Sequence, residues 1–498
     1  MRRLFRSTIT RSDRRLISEF LLDGEKEVRE YELEISRLRI AMDQLENKKE
    51  GLKRTMENCR SLLSPVHRLP MEILVEIFSS VCEDGDLNPF HPPQVVQLSR
   101  VCGRWREVAL AASNLWSNFS VGFADWNQFG ITRLQRLAQT FVDRSHGRLT
   151  HVALDFEDTD DDLQTAVSAI MDILAHTSVN WRHLSLYDLG EVCGSSFLNQ
   201  QMDLSGLQDL RLHGAMSHHP AMYTIFKNSP SLKTLEMFCE SVLEEHEAFD
   251  LPWHQIETLK IQSTCIFTTS DFLALFPRLK SLYLVQASDQ IGVIYGGHVV
   301  SNTVESVHFS WEDQDDANAT LHYLTLPHLT SLTMHGADPN EDWSVWVDSP
   351  ALDFLTRSAC RITSLCLQTL PMTDLQVIAL LQLMPDLTSL KIEELRYDSP
   401  SNRIVTKVFL QHLTVDYQAF RSSPFLPRLT DVEFVMLQKG LAEQDLVDAI
   451  SSRWIPDPAE AKRIGVACLA SVRITALGGQ GGSDLSSPRC FSDAGMRL

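Results

Sequence analysis

A chain of 498 residues, 44% hydrophobic and 22% charged, has ample material for a buried core and is excluded from the disordered class. At about 150 residues per domain, this length predicts about three domains or one elongated repeat array. Forty-five Lys and Arg against 65 Asp and Glu leave a net charge of −20, which repels phosphate backbones and anionic headgroups and rules down nucleic acid and membrane as partners. Ten cysteines without CxxC spacing fit a reducing compartment, cytoplasmic and/or nuclear. No apolar run approaches the ~18 residues of a membrane span.

The first fifteen residues carry Arg2, Arg3, Arg6, Arg11, Arg14 and Arg15 against one acid, Asp13. They read as the start of a basic flexible N-terminus over residues 1–23 rather than a transit peptide. Residues 24–63 then hold heptads. Val28, Ile35, Met42, Lys49, Met56 and Leu63 form one column, and Tyr31, Leu38, Leu45, Leu52 and Cys59 the other. These are a and d positions of a helix flanked by charge, which predicts either a parallel homodimeric coiled coil through 28–63 or a helix packed back on its own chain.

Pro65 closes the heptads and opens a small helical unit over residues 65–120. Pro70 stands at a helix start, where its missing donor costs nothing, and Ile73, Leu74, Ile77 and Phe78 share one face of that helix. Residues 83–93 read as a loop. A second stripe comes next with Val95, Leu98, Val101, Cys102, Trp105 and Val108, and Leu115-Trp116 closes the unit. Fifty residues cannot bury that much apolar surface alone, so the unit either docks on a partner or caps the first repeat of the chain beyond it.

From Leu149 one pattern recurs, with apolar residues at positions one, four and six. It begins at Leu149, Trp181, Leu207, Leu232, Ile256, Leu279, Val304, Leu329, Ile362, Leu387, Leu410 and Leu429, at intervals averaging about 25 residues. Pro230, Pro277, Pro327, Pro385 and Pro427 each stand two residues before a repeat, where proline ends the preceding arm and favours extended chain. The period and the LxxLxL core match the leucine-rich repeat, in which each unit supplies a strand and a return arm. The repeats are expected over residues 121–455, without the asparagine ladder of regular arrays. The Gly-rich run at 478–483 sits in a tail, 456–498, expected to be mostly disordered.

Chemical motifs are thin. No GxSxG, HExxH, P-loop or GxGxxG occurs. Neither His218-His219 nor the acidic run from Glu157 to Asp162 has ligand spacing. No catalytic residue, metal or cofactor is assigned, and the chain is read as not an enzyme.

Residues 65–120 resemble an F-box, on Leu69-Pro70, Glu72-Ile73-Leu74, Ile77-Phe78, Val101-Cys102, Trp105-Arg106 and Leu115-Trp116. The loop between Phe78 and Leu98 is several residues longer than in a compact F-box. Joined to the repeats, the whole is similar to the F-box/leucine-rich-repeat class. The fold expected is therefore α/β, a leucine-rich-repeat solenoid preceded by a small helical F-box-like module and an N-terminal heptad helix. The resemblance implies the non-catalytic substrate receptor of an SCF-type cullin-RING ubiquitin ligase. Leu69, Pro70, Ile73, Leu74, Ile77, Phe78, Val101, Cys102 and Trp105 would seat on the Skp-family adaptor, and the repeats would hold an unknown protein substrate. The alternative is a repeat scaffold acting without a ligase.

Alternation in each LxxLxL strand turns the middle residue to the concave side. That row mixes bases, acids and small polar groups and is close to neutral. Substrate contacts are expected around Arg211, Lys260, Tyr283, His308 and Lys391.

Overall fold

The computed structural model describes residues 9–82, 85–126, 130–156, 164–188, 202–214, 224–238, 251–262, 272–285, 298–336, 343, 345–395, 403–416, 424–437 and 443–477. His218-His219, the acidic run after Phe156 and the Gly-rich tail from residue 478 lie outside them. The chain forms two compact units, Met1–Ile77 and Phe78–Leu498.

The first unit is dominated by helix α1, Arg11–Leu62, which starts well before the expected residue 24. The reason is a capping box: the Asp13 N–H donates to Thr10 Oγ1 at 3.3 Å, and the Thr10 N–H donates to Asp13 Oδ2 at 3.0 Å. Residues 11–23 are thus helical rather than a flexible terminus. None of the residues of α1 is buried, so its apolar stripe is left uncovered. A 3-10 turn, Pro65–Arg68, comes after it.

The second unit is built on a sheet of thirteen parallel strands whose spatial order is their chain order. They are Asn118–Gly122, His151–Asp155, His183–Tyr187, Asp209–His213, Thr234–Phe238, Thr258–Gln262, Ser281–Val285, Ser306–Trp311, Ser331–Gly336, Ser364–Gln368, Ser389–Glu393, Asp431–Leu437 and Ser471–Leu477. Parallel neighbours need a crossover arm between them, and the ~25-residue period supplies it. Helices Ile131–Ser145, Gln314–Tyr323, Ser349–Ser358 and Asp374–Gln382 are such arms, each burying one apolar stripe. The strands bury alternate residues: Leu210 and Leu212, Leu235 and Met237, Leu259 and Ile261 lie in the core.

Eleven of the twelve expected repeats hold a strand at the LxxLxL positions. The exception is Leu410-Leu413-Val415, where Lys407–Leu413 is a helix. Thr406 caps it by accepting the Phe409 N–H, and Phe409, Leu410 and Leu413 are buried at helical spacing. LxxL fits one helical face as well as a repeat, and the cap decides between them. Two strands extend the array beyond its expected limits, Asn118–Gly122 at one end and Ser471–Leu477 at the other. Helix Pro458–Ile464 and the last strand show that the chain after 456 is ordered as far as Leu477.

A main-chain ladder runs along the leading ends of the strands. The Glu257 N–H donates to the Lys233 carbonyl at 2.8 Å, Lys280 to Glu257 at 2.8 Å and Glu305 to Lys280 at 2.8 Å. Buried Arg453 ties together the arm that precedes the Asp431–Leu437 strand. Its guanidinium donates to the carbonyls of Leu413 at 2.5 Å, Leu426 at 2.9 Å and Phe425.

Candidate functional site

Two surfaces arise from this architecture. The first is the segment expected to dock an adaptor. In the first unit Leu69 is half-buried and closes the 3-10 turn, its N–H donating to the Val66 carbonyl at 3.3 Å, while Pro70 is exposed. Helix α2, Met71–Val81, has two faces. Leu74 and Phe78 are buried, whereas Ile73 and Ile77 are 46% and 45% exposed. Met71 and Val81 are also exposed, and the i, i+4 spacing of Ile73, Ile77 and Val81 makes one apolar stripe. Met71 and Val81 escaped the sequence reading, although that spacing would have found Val81.

In the second unit the short helix α3, Gln94–Ser99, buries Val95. The Phe78 ring lies 4.8 Å from that of Trp105. Cys102 Sγ accepts the Trp105 N–H at 3.4 Å and caps α4, Gly103–Ala111. Trp116 is buried, its Nε1 donating to the Ala109 carbonyl at 2.8 Å and its ring 5.1 Å from Phe141. Val101 is 61% exposed. Leu74 and Phe78 are therefore buried rather than presented, and within the second unit Trp105 packs against Phe78 while Cys102 caps α4. Pro70, Ile73, Ile77 and Val101 present apolar surface.

The long loop has a structural occupation. Asp86 pairs in parallel with Ser120; the Leu87 N–H donates to the Ser120 carbonyl at 2.8 Å, and the Ser120 N–H to the Gly85 carbonyl at 3.1 Å. It covers the open edge of the first strand, where unpaired backbone would otherwise recruit another chain.

The second surface is the face of the sheet opposite the buried leucines. Strand register places Arg211, Glu236, Lys260, Tyr283 and His308 side by side. Glu236 is the hub: Arg211 Nε lies 3.3 Å and Lys260 Nζ 3.6 Å from its carboxylate. Lys260 Nζ also stands 5.4 Å from the Tyr283 ring centre, and Tyr283 lies 5.5 Å from His308. Lys391 is three strands further on and pairs with Glu433 at 2.9 Å, which also receives Arg473 at 2.8 Å. The five expected contact residues thus form one cluster of four and one outlier. Their three cations are each paired with one of two glutamates, Glu236 and Glu433, that the expected contact set does not include.

Histidines line the same face. His151 stacks on His183 at 4.0 Å between ring centres, and His183 Nδ1 is 2.7 Å from Asp209. Burial, then the neighbouring His183, pulls His151 down to about 4. Burial likewise lowers His213, His308 and His335. Each shift favours the neutral imidazole, and the face presents aromatic and paired polar groups.

Among the described residues no group of three or more His, Cys, Asp or Glu is placed to hold a metal ion, and no helix is long and apolar enough to cross a membrane.

A family model for F-box-like domains matches residues 66–121. No curated protein matches the chain. Among solved structures, the crystal structure of the Rad7 and Elc1 complex in yeast is similar at 12% identity and a TM-score of 0.31, over 79% of this chain and 96% of that one. The chain thus carries an F-box-like segment at residues 66–121, and the described parallel strands beyond it form a sheet with the fold of a leucine-rich-repeat solenoid.

Proposed function

We propose that the chain is a non-catalytic substrate-recognition subunit of an SCF-type ubiquitin ligase, acting in the cytoplasm or nucleus. The observation that carries the reading is the F-box-like match at residues 66–121 on a segment that leaves Ile73, Ile77, Val81 and Val101 exposed. Apolar side chains held out of the core on a short helix and a helix–helix turn favour a protein partner. That partner is a Skp-family adaptor, which links the chain to a cullin-RING ligase. The array contributes proximity: its open face around Arg211, Glu236, Lys260, Tyr283 and His308 holds the protein to be ubiquitinated.

Capture of a Skp-family adaptor by the full chain is the test. Changing Ile73 and Val101 together to Asp is expected to abolish capture without lowering the melting temperature much, since both residues are exposed. Changing Leu69 and Pro70 to Ala is expected to weaken it. Undiminished capture by the Ile73/Val101 variant overturns adaptor docking and leaves a repeat scaffold independent of a ligase. Changing Lys260, Tyr283 and His308 together to Ala is expected to reduce ubiquitination of the bound substrate while adaptor capture persists.

A further inference from the structure

Helix α1 exposes Val28, Tyr31, Ile35, Leu38, Met42, Leu45, Leu52 and Met56, a heptad seam broken only at Lys49 and not covered by any of the described residues. A seam of this kind is completed by another helix of matching pattern. The charge along α1 identifies that helix and its direction. Residues 25–46 carry seven acids and four bases, and residues 47–62 carry five bases and two acids. Along the seam, the leading part is thus acidic and the trailing part basic. A parallel pair would set like charge on like; an antiparallel pair sets the acidic half of each copy on the basic half of the other.

The heptad positions beside the seam sharpen this. In a parallel pair the g and e neighbours are Glu27 with Glu32, Glu34 with Arg39, and Lys48 with Lys53, two repulsions against one attraction. The polar intruder Lys49 would also face its own copy across the seam. In an antiparallel pair, e faces e and g faces g. The register that sets Met42 against Leu45 of the second copy brings together Glu25 with Arg60, Glu32 with Lys53, and Arg39 with Glu46, all attractive and each made twice by the two-fold axis. Its g pairs, Glu27 with Leu62, Glu34 with Thr55, and Ala41 with Lys48, contain no repulsion, and Lys49 meets Leu38. Sliding the register by one heptad makes either Arg39 or Glu46 face its own copy. Lys53 already touches Glu50 on its own helix at 3.1 Å, an exposed contact that is weak enough to yield to or share with a second carboxylate.

We propose that α1 is an antiparallel homodimerisation helix in this register, in place of the parallel coil that the apolar columns alone suggest. The two copies overlap from Val28 to Cys59, about 47 Å at 1.5 Å per residue. The remainder of each chain is then carried off from opposite ends of the shared rod. This inference does not rest on ligase function, since it uses only the heptad helix.

Two experiments on the full chain test it. In sedimentation, Glu32→Lys is expected to weaken the dimer roughly tenfold, because the introduced ammonium would then face Lys53 twice, and the double variant Glu32→Lys/Lys53→Glu to restore it. A parallel pair gives the opposite sign for Glu32→Lys, which would relieve Glu27, and a wild-type chain that stays monomeric at all concentrations overturns the proposal outright. Second, Val28→Cys places a thiol opposite Cys59 of the other copy. Under mild oxidation a disulfide between positions 28 and 59 is expected in peptide mapping; linkage of 59 to 59 or of 28 to 28 overturns the antiparallel register.

Discussion

Thr388 Oγ1 donates to the Thr363 carbonyl at 2.9 Å, one repeat away in the stack. The same bond joins Thr330 to Glu305 at 3.0 Å, Thr363 to Thr330 at 3.2 Å and Thr430 to Thr388 at 3.1 Å. A threonine ladder therefore links successive repeats at the leading ends of their strands, in a protein whose sequence lacks the usual asparagines. Each of these carbonyls also accepts main-chain N–H groups, so the hydroxyl reinforces an existing rung.

Replacing Thr388 with the isosteric Val removes one such bond and keeps the β-branched shape. A loss of about 1 kcal/mol is expected from denaturant unfolding, typical of a single hydrogen bond. The double variant Thr363→Val/Thr388→Val is expected to lose less than the sum of the two, because each single change already weakens the neighbouring rung of one ladder.

Arg453 holds three carbonyls from a buried position, and burial lowers its pKa to about 10, so it remains charged at neutral pH. Arg453→Met leaves those carbonyls without their donor and is expected to cost about 3 kcal/mol in denaturant unfolding. Arg453→Lys is expected to recover little, since one ammonium cannot reproduce the planar fork.

Gly85 has a φ of +60°, and a β-carbon there would overlap the Asn118 carbonyl. Gly85→Ala is expected to cost about 1–3 kcal/mol locally through strain and lost pairing. Hydrogen exchange reads this directly, as faster exchange at the Ser120 and Leu87 amides with the central strands unaffected.

Asp316 and His151 give opposite pH signatures. Burial, then Asp313, raises Asp316 to about 6. Its ionisation in the unfolded chain therefore costs the folded state stability as pH rises from about 4 through 6, and Asp316→Asn is expected to raise the melting temperature at pH 7.5 but much less at pH 4. His151 is lowered to about 4, so the folded state resists a proton that the unfolded chain accepts near 6.5. Its contribution is intact above pH 6.5 and is lost as pH falls toward 4. His151→Asn is expected to reduce the loss of melting temperature between pH 7 and pH 5.

The strands were legible because burial on one face forces period two, and the recurring apolar triplet locates that face from Leu149 to Leu429. Leu410 to Val415 misled because three-residue spacing serves helix and repeat alike, and the deciding group, Thr406, lies outside the triplet. Asn118–Gly122 and Ser471–Leu477 were missed at the ends, where the flanking sequence departs from the interior pattern. In the F-box-like segment the apolar positions were legible, but not which of them faced inward: Ile73 and Leu74 are adjacent in sequence and opposite in burial. The pairing of Arg211 and Lys260 on Glu236 depends on register across three strands, which no local pattern encodes.

The pairing of Asp86 with Ser120 means that the F-box-like segment and the repeat array have no clean seam. Residues 118–121 satisfy the family pattern and at the same time supply the outermost rung of the sheet. Excising the segment would strip a rung from the stack and bare the His151–Asp155 strand, so a shortened chain would lose solubility for reasons unrelated to any lost partner. A segment that shares a strand with the array beside it cannot be exchanged between arrays as a free cassette; whatever is grafted there must bring its own edge.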